Sequence, residues 1–383
     1  MLTKNIFLKN FKSKKINREI KKSLILLLKE KNEIIKSLGT SYKNSYYKRN
    51  IQRLKKKKNF RIIGMGGSIL GAESIYNFLN DRIKKKFEFI SNLDHKYNLS
   101  KKTFVNLIIS KSGNTLETIT NSNIFIKKKD TNIFIIENKK NYLLSLAQKL
   151  KSEIIDHNNY IGGRYSVLSE VGMLPAELMN LNVKKFKQIN NLIKNKNFIN
   201  LLISNVSSTL ELIKNKKSNS IILNYDERSE GLFKWYQQLI AESLGKKGKG
   251  ILPIISSMPK DNHSVMQYYL DGPKNNFFTF FYVKEKKSSK LNQAQILPTH
   301  NFLKNKNVDQ IMYAQKNATE NIFQKKNIPY RSFEVINRSE KTLGELFSFF
   351  ILETILLGRA LKVNPYDQPS VELIKKETKK ILI

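Results

Sequence analysis

Thr103-Phe104-Val105-Asn106-Leu107-Ile108-Ile109-Ser110-Lys111-Ser112-Gly113-Asn114-Thr115-Leu116-Glu117-Thr118 is the stretch that decides the fold. The near-continuous apolar run from Thr103 to Ile109 suits a strand covered on both faces, as in a parallel sheet. It breaks into a loop of hydroxyls, a lysine and a glycine, and helix signals then continue through Ile126. Thr115 or Ser112 is placed to cap that helix, with Glu117 and Thr118 in its first turn. Hydroxyls and a lysine around a helix N-terminus can cradle a phosphate, and open α/β sheets bind ligands at the C-terminal ends of their strands. The stretch therefore predicts a βα unit with a phosphate loop, not merely a capping turn.

The preceding segment repeats the design. Phe60-Arg61-Ile62-Ile63 is a short strand that opens into Gly64-Met65-Gly66-Gly67-Ser68-Ile69-Leu70-Gly71 and then a helix over 72–79. A dinucleotide fingerprint needs glycine where Ile69 stands, and the P-loop Gly-Lys-Ser/Thr is absent, so neither nucleotide motif is present. Thr131 to Glu137 reads as a third strand and Tyr142 to Leu150 as its helix. After Ile154-Ile155, Gly162-Gly163-Arg164-Tyr165-Ser166 presents an arginine from a glycine turn. Such an arginine either clamps an anion or is an ordinary surface turn residue. Helices are expected over 167–180 and 183–214, the latter broken near Asn195. Residues 1–59 read as two or three helices. The length of 383 residues fits two domains of about 150–200 residues, placed at 1–182 and 183–383.

The second half restates the βαβ theme. Ser220 to Tyr225 is a strand, and a helix follows in which Leu232, Trp235, Tyr236, Leu239 and Ile240 form one buried stripe at helical spacing. That helix presents Glu242 and stops at Gly245, where a left-handed cap and the following lysines suit a helix end. Further strands are expected at Gly250–Ile255, Phe277–Val283 and Ser332–Ile336. Helices are expected at 308–321 and 343–361, with a C-terminal helix from Asp367 through Lys375. His263 lies at a helix entry.

Hydrophobic residues make up 40% of the chain, enough for packed cores, and cysteine is absent, which excludes disulfides and thiol catalysis. No apolar h-region or run long enough to span a bilayer is present, so a soluble cytoplasmic protein is expected, without membrane association. The formal charge of +38 comes from 69 Lys+Arg against 31 acids. It is mostly lysine spread along a chain also rich in Ile and Asn, all with A/T-rich codons, so nucleotide composition accounts for it as well as a nucleic-acid partner does. Arginine, the better reader of phosphates and bases, is scarce. No specific nucleic-acid binding is expected.

Six blocks, in order, resemble the glucose-6-phosphate isomerase family: Gly66-Gly67-Ser68; Ser110 through Thr115 with Glu117-Thr118; Gly162 through Ser166; Gln238 through Ser243; His263-Ser264; and Gln368 through Lys375. The resemblance implies an α/β chain with two sugar-isomerase (SIS) αβα sandwich domains, each a mainly parallel sheet flanked by helices. It implies a homodimer that needs no cofactor or metal and interconverts glucose 6-phosphate and fructose 6-phosphate. Carried over by position, Ser68, Ser110, Lys111, Ser112 and Thr115 bind phosphate, with Gly67 and Gly163 in the approach loops and Gln238 and Gln368 as sugar contacts. Glu242 matches the base, Arg164 the cation beside the cis-enediol(ate), and His263 and Lys375 the ring-opening pair, His263 arriving from the other subunit. Ser370 and Ile374 depart from glycines usual in the family's last block. A bifunctional phosphoglucose/phosphomannose isomerase and a SIS-type sugar-phosphate sensor are the alternative readings. The chemistry itself asks for a base that moves one proton between C1 and C2, a fixed cation for the enediolate, and a proton relay for ring opening.

Overall fold

The computed structural model describes residues 1–11, 17–97, 100–127 and 129–383. The chain opens with β1 (Ile6–Lys9), then α1 (Arg18–Lys29), α2 (Glu33–Ser37) and α3 (Lys48–Lys55). A parallel five-stranded sheet follows, built from β2 (Asn59–Gly64), β3 (Lys86–Ile90), β4 (Val105–Ile109), β5 (Thr131–Ile136) and β6 (Glu153–Asp156) in the order β3-β2-β4-β5-β6. Its connecting helices are α4 (Leu70–Phe78), α5 (Leu116–Phe125) and α6 (Tyr142–Lys149). α7 (Glu170–Leu178), α8 (Val183–Phe186), α9 (Ile189–Leu192) and α10 (Lys196–Lys214) lead to the second half, where Asn195 caps α10 at the expected break.

There β7 (Asn219–Asn224), α11 (Glu230–Leu244), β8 (Leu252–Ser257), α12 (Met266–Asp271), β9 (Asn276–Val283), α13 (Val308–Lys325), β10 (Tyr330–Val335) and α14 (Glu340–Ala360) form the second unit, and α15 (Val371–Ile381) ends the chain. Its sheet runs β1-β10-β9-β7-β8, parallel except for β1. Read from β8, this is the winding of the first sheet read from β3. In each, the first strand sits inside, the second beside it at the edge, and the third crosses to its other side. Each sheet therefore has a switch point between its first and third strands, where crossovers part in opposite directions and leave a crevice at the strand C-termini.

Four local expectations change. β1 falls where helix is expected; Ile6 and Leu8 are buried and alternate with outward Phe7 and Lys9, a period of two too short to stand out in sequence. It pairs antiparallel to β10, so the first residues of the chain join the second sheet. β3 is not anticipated by the pattern, because Lys86 and Glu88 interrupt its apolar residues; it is an edge strand, where a charged outer face is tolerated. α11 does not end on a left-handed glycine: Gly245 has φ −72°, and positive φ falls at Lys247 and Gly248. Gly245 is required for space instead, since a Cβ there would lie 2.7 Å from the Ala241 carbonyl oxygen. The last helix starts at Val371, not Asp367, and none of its residues is buried.

A buried lysine ties the N-terminal helices to the first unit. Lys187 Nζ donates to the carbonyls of Ser37 (2.6 Å) and Leu168, and lies over the Tyr42 ring. Burial pulls its ammonium down from the ordinary 10.5 to about 7, although the Glu170 carboxylate works against the shift. Between these values the unfolded chain carries a proton that the folded chain lacks, so stability rises with pH across this window, and the full cost of the buried charge is felt below it. Urea unfolding should therefore show wild-type stability rising between about pH 7 and about pH 9, with that part of the rise missing in Lys187→Met.

Candidate active site

At the switch point of the first sheet, β2 and β4 end side by side, with Gly64 opposite Ile109. Ser68 packs against this point: a Cβ on Gly64 would meet the Ser68 Cβ at 3.2 Å and the Ile109 carbonyl oxygen at 3.0 Å. One residue on, Ser110 is buried and shares a 2.9 Å hydrogen bond with the Thr115 hydroxyl. Thr115 is the N-cap residue of α5, but its hydroxyl is turned to Ser110 and makes no cap bond, contrary to the capping expectation. Ser112 is exposed and accepts from the Asn114 amide at 3.3 Å. Gly113, at φ +65°, lies where any Cβ would fall 1.9 Å from the Asn141 side chain, so the loop is seated on the N-terminus of α6. Lys111 spends its ammonium on the Asn159 carbonyl (2.7 Å) and on Glu137 (3.5 Å).

The glycine turn at 162–163 meets this crevice from the other side. A Cβ on Gly67 would lie 2.1 Å from the Gly163 carbonyl carbon and 2.4 Å from the Arg164 nitrogen, so two backbones touch where only glycine fits. Arg164 follows, 2% exposed. Its Nε donates to Ser243 Oγ (2.7 Å), Nη1 to Glu242 (3.1 Å) and Gln368 (2.7 Å), and Nη2 to the carbonyls of Pro365 (2.8 Å) and Asp367 (3.0 Å). All five guanidinium N–H groups thus have acceptors, which is what makes a buried cation tolerable. The Arg164 carbonyl accepts from the Trp235 indole at 3.0 Å, and the Tyr165 hydroxyl donates to the Pro365 carbonyl at 2.9 Å.

Glu242 projects from α11 with 30% of its side chain exposed. One carboxylate oxygen receives Arg164 and the other receives the Gln238 amide at 2.8 Å, one helical turn back. The residues between α14 and α15 close the site. Lys246, just past α11, pairs with Asp367 at 2.8 Å, and that hydrogen-bonded ammonium holds the Asp367 carboxyl below its usual range. Sequence reasoning gives Lys246, Asp367 and Asn141 no part; Asp367 beside Gln368 is the one available signal.

The structure thus brings together Ser68, Ser110 and Thr115 on one side of the crevice, and Arg164, Glu242, Gln238 and Gln368 on its other side, joined where Gly67 meets Gly163 and Gly66 meets Gln238. It does not bring His263 or Lys375 to them within the subunit. His263 is exposed beyond β8, and its ring has no hydrogen bond among the described residues. Lys375 sits on exposed α15 and pairs with Glu372 at 2.6 Å. Among the described residues, no group of three or more His, Cys, Asp or Glu could hold a metal ion, and no helix is long and apolar enough to cross a membrane.

Paired, mainly parallel sheets with one winding, and a hydroxyl-lined loop at a switch point, define a protein of the sugar-isomerase (SIS) fold. Solved structures share it: a hypothetical protein from Thermus thermophilus superposes with TM-score 0.83 at 22% identity, covering 95% of this chain and 94% of that one. A glucose-6-phosphate isomerase from Chlamydia trachomatis gives 0.68 at 18% identity over 91% and 73%. The family model Phosphoglucose isomerase matches residues 29–255, and the glucose-6-phosphate isomerase of Mycoplasmopsis pulmonis is 33% identical over 92% of this chain and 87% of its own. The chain belongs to the phosphoglucose isomerase family.

The Gly67 contact can be tested directly. Gly67→Ala should lower stability by about 2 kcal/mol or more, read as a reduced urea midpoint at unchanged m. Gly162→Ala should cost little, since its Cβ meets only the Tyr165 ring, at 3.8 Å.

Proposed function

We propose that the chain interconverts glucose 6-phosphate and fructose 6-phosphate in glycolysis and gluconeogenesis, through a cis-enediol(ate). The observation that carries this reading is the Arg164–Glu242 pair: a carboxylate 3.1 Å from a buried, fixed guanidinium, beside a hydroxyl-lined strand-end loop, in a chain of this family. Ser68, Ser110, Ser112 and Thr115 hold the phosphate, and Lys111 joins them by exchanging the Asn159 carbonyl for a phosphate oxygen. Glu242 takes the C2 proton and returns it to C1, with Gln238 fixing its far oxygen. Arg164 stabilises the enediolate, which reaches Nη1 by displacing the Gln368 amide oxygen. In that exchange the saturated guanidinium gains an anionic acceptor for a neutral one and loses no bond.

Ring opening is assigned to His263 of the partner subunit and to Lys375. An exposed histidine beyond the edge strand β8 is free to cross a dimer interface, and α15, with Leu373 and Ile374 turned to solvent, has an apolar face still to be docked. Both points favour a site completed by assembly as a homodimer. The two-unit division near residue 182 is retained, with β1 reaching across it, and a cytoplasmic location accords with this metabolic role. The reaction is proposed to run without metal: both Glu242 oxygens already serve Arg164 and Gln238, so the carboxylate is arranged as a proton carrier and not as a ligand.

Glu242→Gln should lower fructose 6-phosphate turnover by about 10²–10⁴-fold, while fructose 6-phosphate still binds; an unchanged rate overturns the assignment. A chelator should leave the wild-type rate intact. Mannose 6-phosphate turned over as fast as glucose 6-phosphate would replace the dedicated activity with a bifunctional one.

A further inference from the structure

The two halves of the molecule share more than their strand order. Ser68 and Arg228 stand the same number of residues beyond the ends of β2 and β7, as do Gly71 and Gly231, and so do Arg82 and Glu242. α4 and α11 lie against each other in opposite directions. Gly66, ahead of α4, abuts Gln238 near the end of α11; Gly231, at the start of α11, abuts Ser74 and Asn77 towards the end of α4. Exchanging the two halves therefore carries the active-site crevice onto a second crevice, at the switch point between β7 and β9.

That second crevice is an open cleft of about 670 Å³, lined by Arg82, Arg228, Arg338, Lys284, Lys286 and Lys287, with Asp81 and Glu285 as its only acids among the described residues. The three arginines are framework. Arg228 pairs with Asp81 (2.7 Å) and Glu285 (3.5 Å), Arg338 with Asp226 and Glu285, and Arg82 with Glu340 (2.9 Å). Lys284, Lys286 and Lys287 are exposed, and their ammonium groups have no hydrogen-bond or ion-pair partner among the described residues. Arg228 Nε is a buried donor without an acceptor among the described residues.

We propose that this cleft is a second ligand site, for a small molecule carrying two or more phosphate groups. The positions equivalent to Ser68 and Glu242 here hold Arg228 and Arg82, so the catalytic carboxylate is replaced by a cation. The cleft has what binding needs and holds no carboxylate at the position equivalent to Glu242. Its volume suits a metabolite-sized ligand and is small for a nucleic-acid backbone. Several lysines converging with few acids ask for more negative charge than one phosphate monoester supplies, which separates this ligand from the sugar phosphate of the first site.

The probe is inorganic tripolyphosphate, titrated into the full-length protein by calorimetry at about 0.15 M salt, where weak surface pairing is screened. Wild-type protein should bind it saturably, one per chain. Lys286→Glu/Lys287→Glu should weaken binding by at least about tenfold, while Lys21→Glu/Lys29→Glu, the same charge change on α1, should not. Both variants should keep fructose 6-phosphate turnover. Equal weakening by the two pairs, absence of saturable binding, or full displacement of the probe by fructose 6-phosphate would each overturn the proposal. So would a duplex oligonucleotide that outcompetes the probe at equal phosphate concentration.

Discussion

A guanidinium as deeply buried as that of Arg164 needs an acceptor on every N–H to offset its lost hydration. Arg164 meets that condition by drawing on three parts of the chain: the glycine turn that carries it, Glu242 and Ser243 at the end of α11, and the segment 365–368 after α14. Removing any of these leaves a donor without an acceptor in a water-poor site, so the charge binds the two halves and the C-terminal segment into one arrangement. The approach of Gly67 to Gly163 sets where the guanidinium lands, and the Trp235 indole fixes the carbonyl of the same residue from the α11 side. The placing of the Arg164–Glu242 pair and the joining of the halves are thus one constraint.

The repeated winding gives the two sheets equivalent crevices, and their linings set the two apart. Both sheets offer a crevice at their switch point, but the first lines it with Ser68, Ser110 and Thr115, and the second with arginines and lysines. α4 and α11 run antiparallel, so the C-terminal end of α11 delivers Glu242 to the first crevice while the equivalent stretch beyond α4 delivers Arg82 to the second. The net charge of +38 therefore has at least one localised expression, within a distribution otherwise spread along the chain.

Much of this is legible in the residues alone. Apolar runs at Phe60, Thr103, Thr131, Ser220 and Phe277 announce buried parallel strands because such strands need no alternation, and the stripe through Trp235 and Leu239 orients α11. β1 and β3 escape notice for the converse reason: short edge strands keep a polar face, and their pairing is set by partners far away in sequence. Arg164 looks evenly balanced between clamp and surface turn, because its acceptors include the backbone carbonyls of Pro365 and Asp367, which no side-chain pattern encodes. The exposure of α15 is equally hidden. Its sequence is amphipathic, and amphipathicity names a face to be covered without naming what covers it.

Placing a carboxylate to within hydrogen-bonding tolerance takes more than a well-formed helix. α11 is held at two levels by buried cations. Two turns before Ser243, and on the same face of the helix, the Tyr236 hydroxyl accepts from Arg331 at 3.0 Å; Arg331 also donates to Asn205 at 2.8 Å and to Thr279 at 2.9 Å, and pairs with Glu353. Tyr236 in turn donates to Glu353 at 3.3 Å. Such a pair adds little net stability over apolar packing, because desolvating both charges offsets their attraction. What it adds is direction: hydrogen bonds to β9, β10, α10 and α14 leave the middle of α11 little freedom to rotate or slide, where apolar contacts alone would allow both. With Tyr236 fixed at one level of the helix and Ser243 bonded to Arg164 two turns further on, the end of α11 is held so that Glu242 faces the guanidinium.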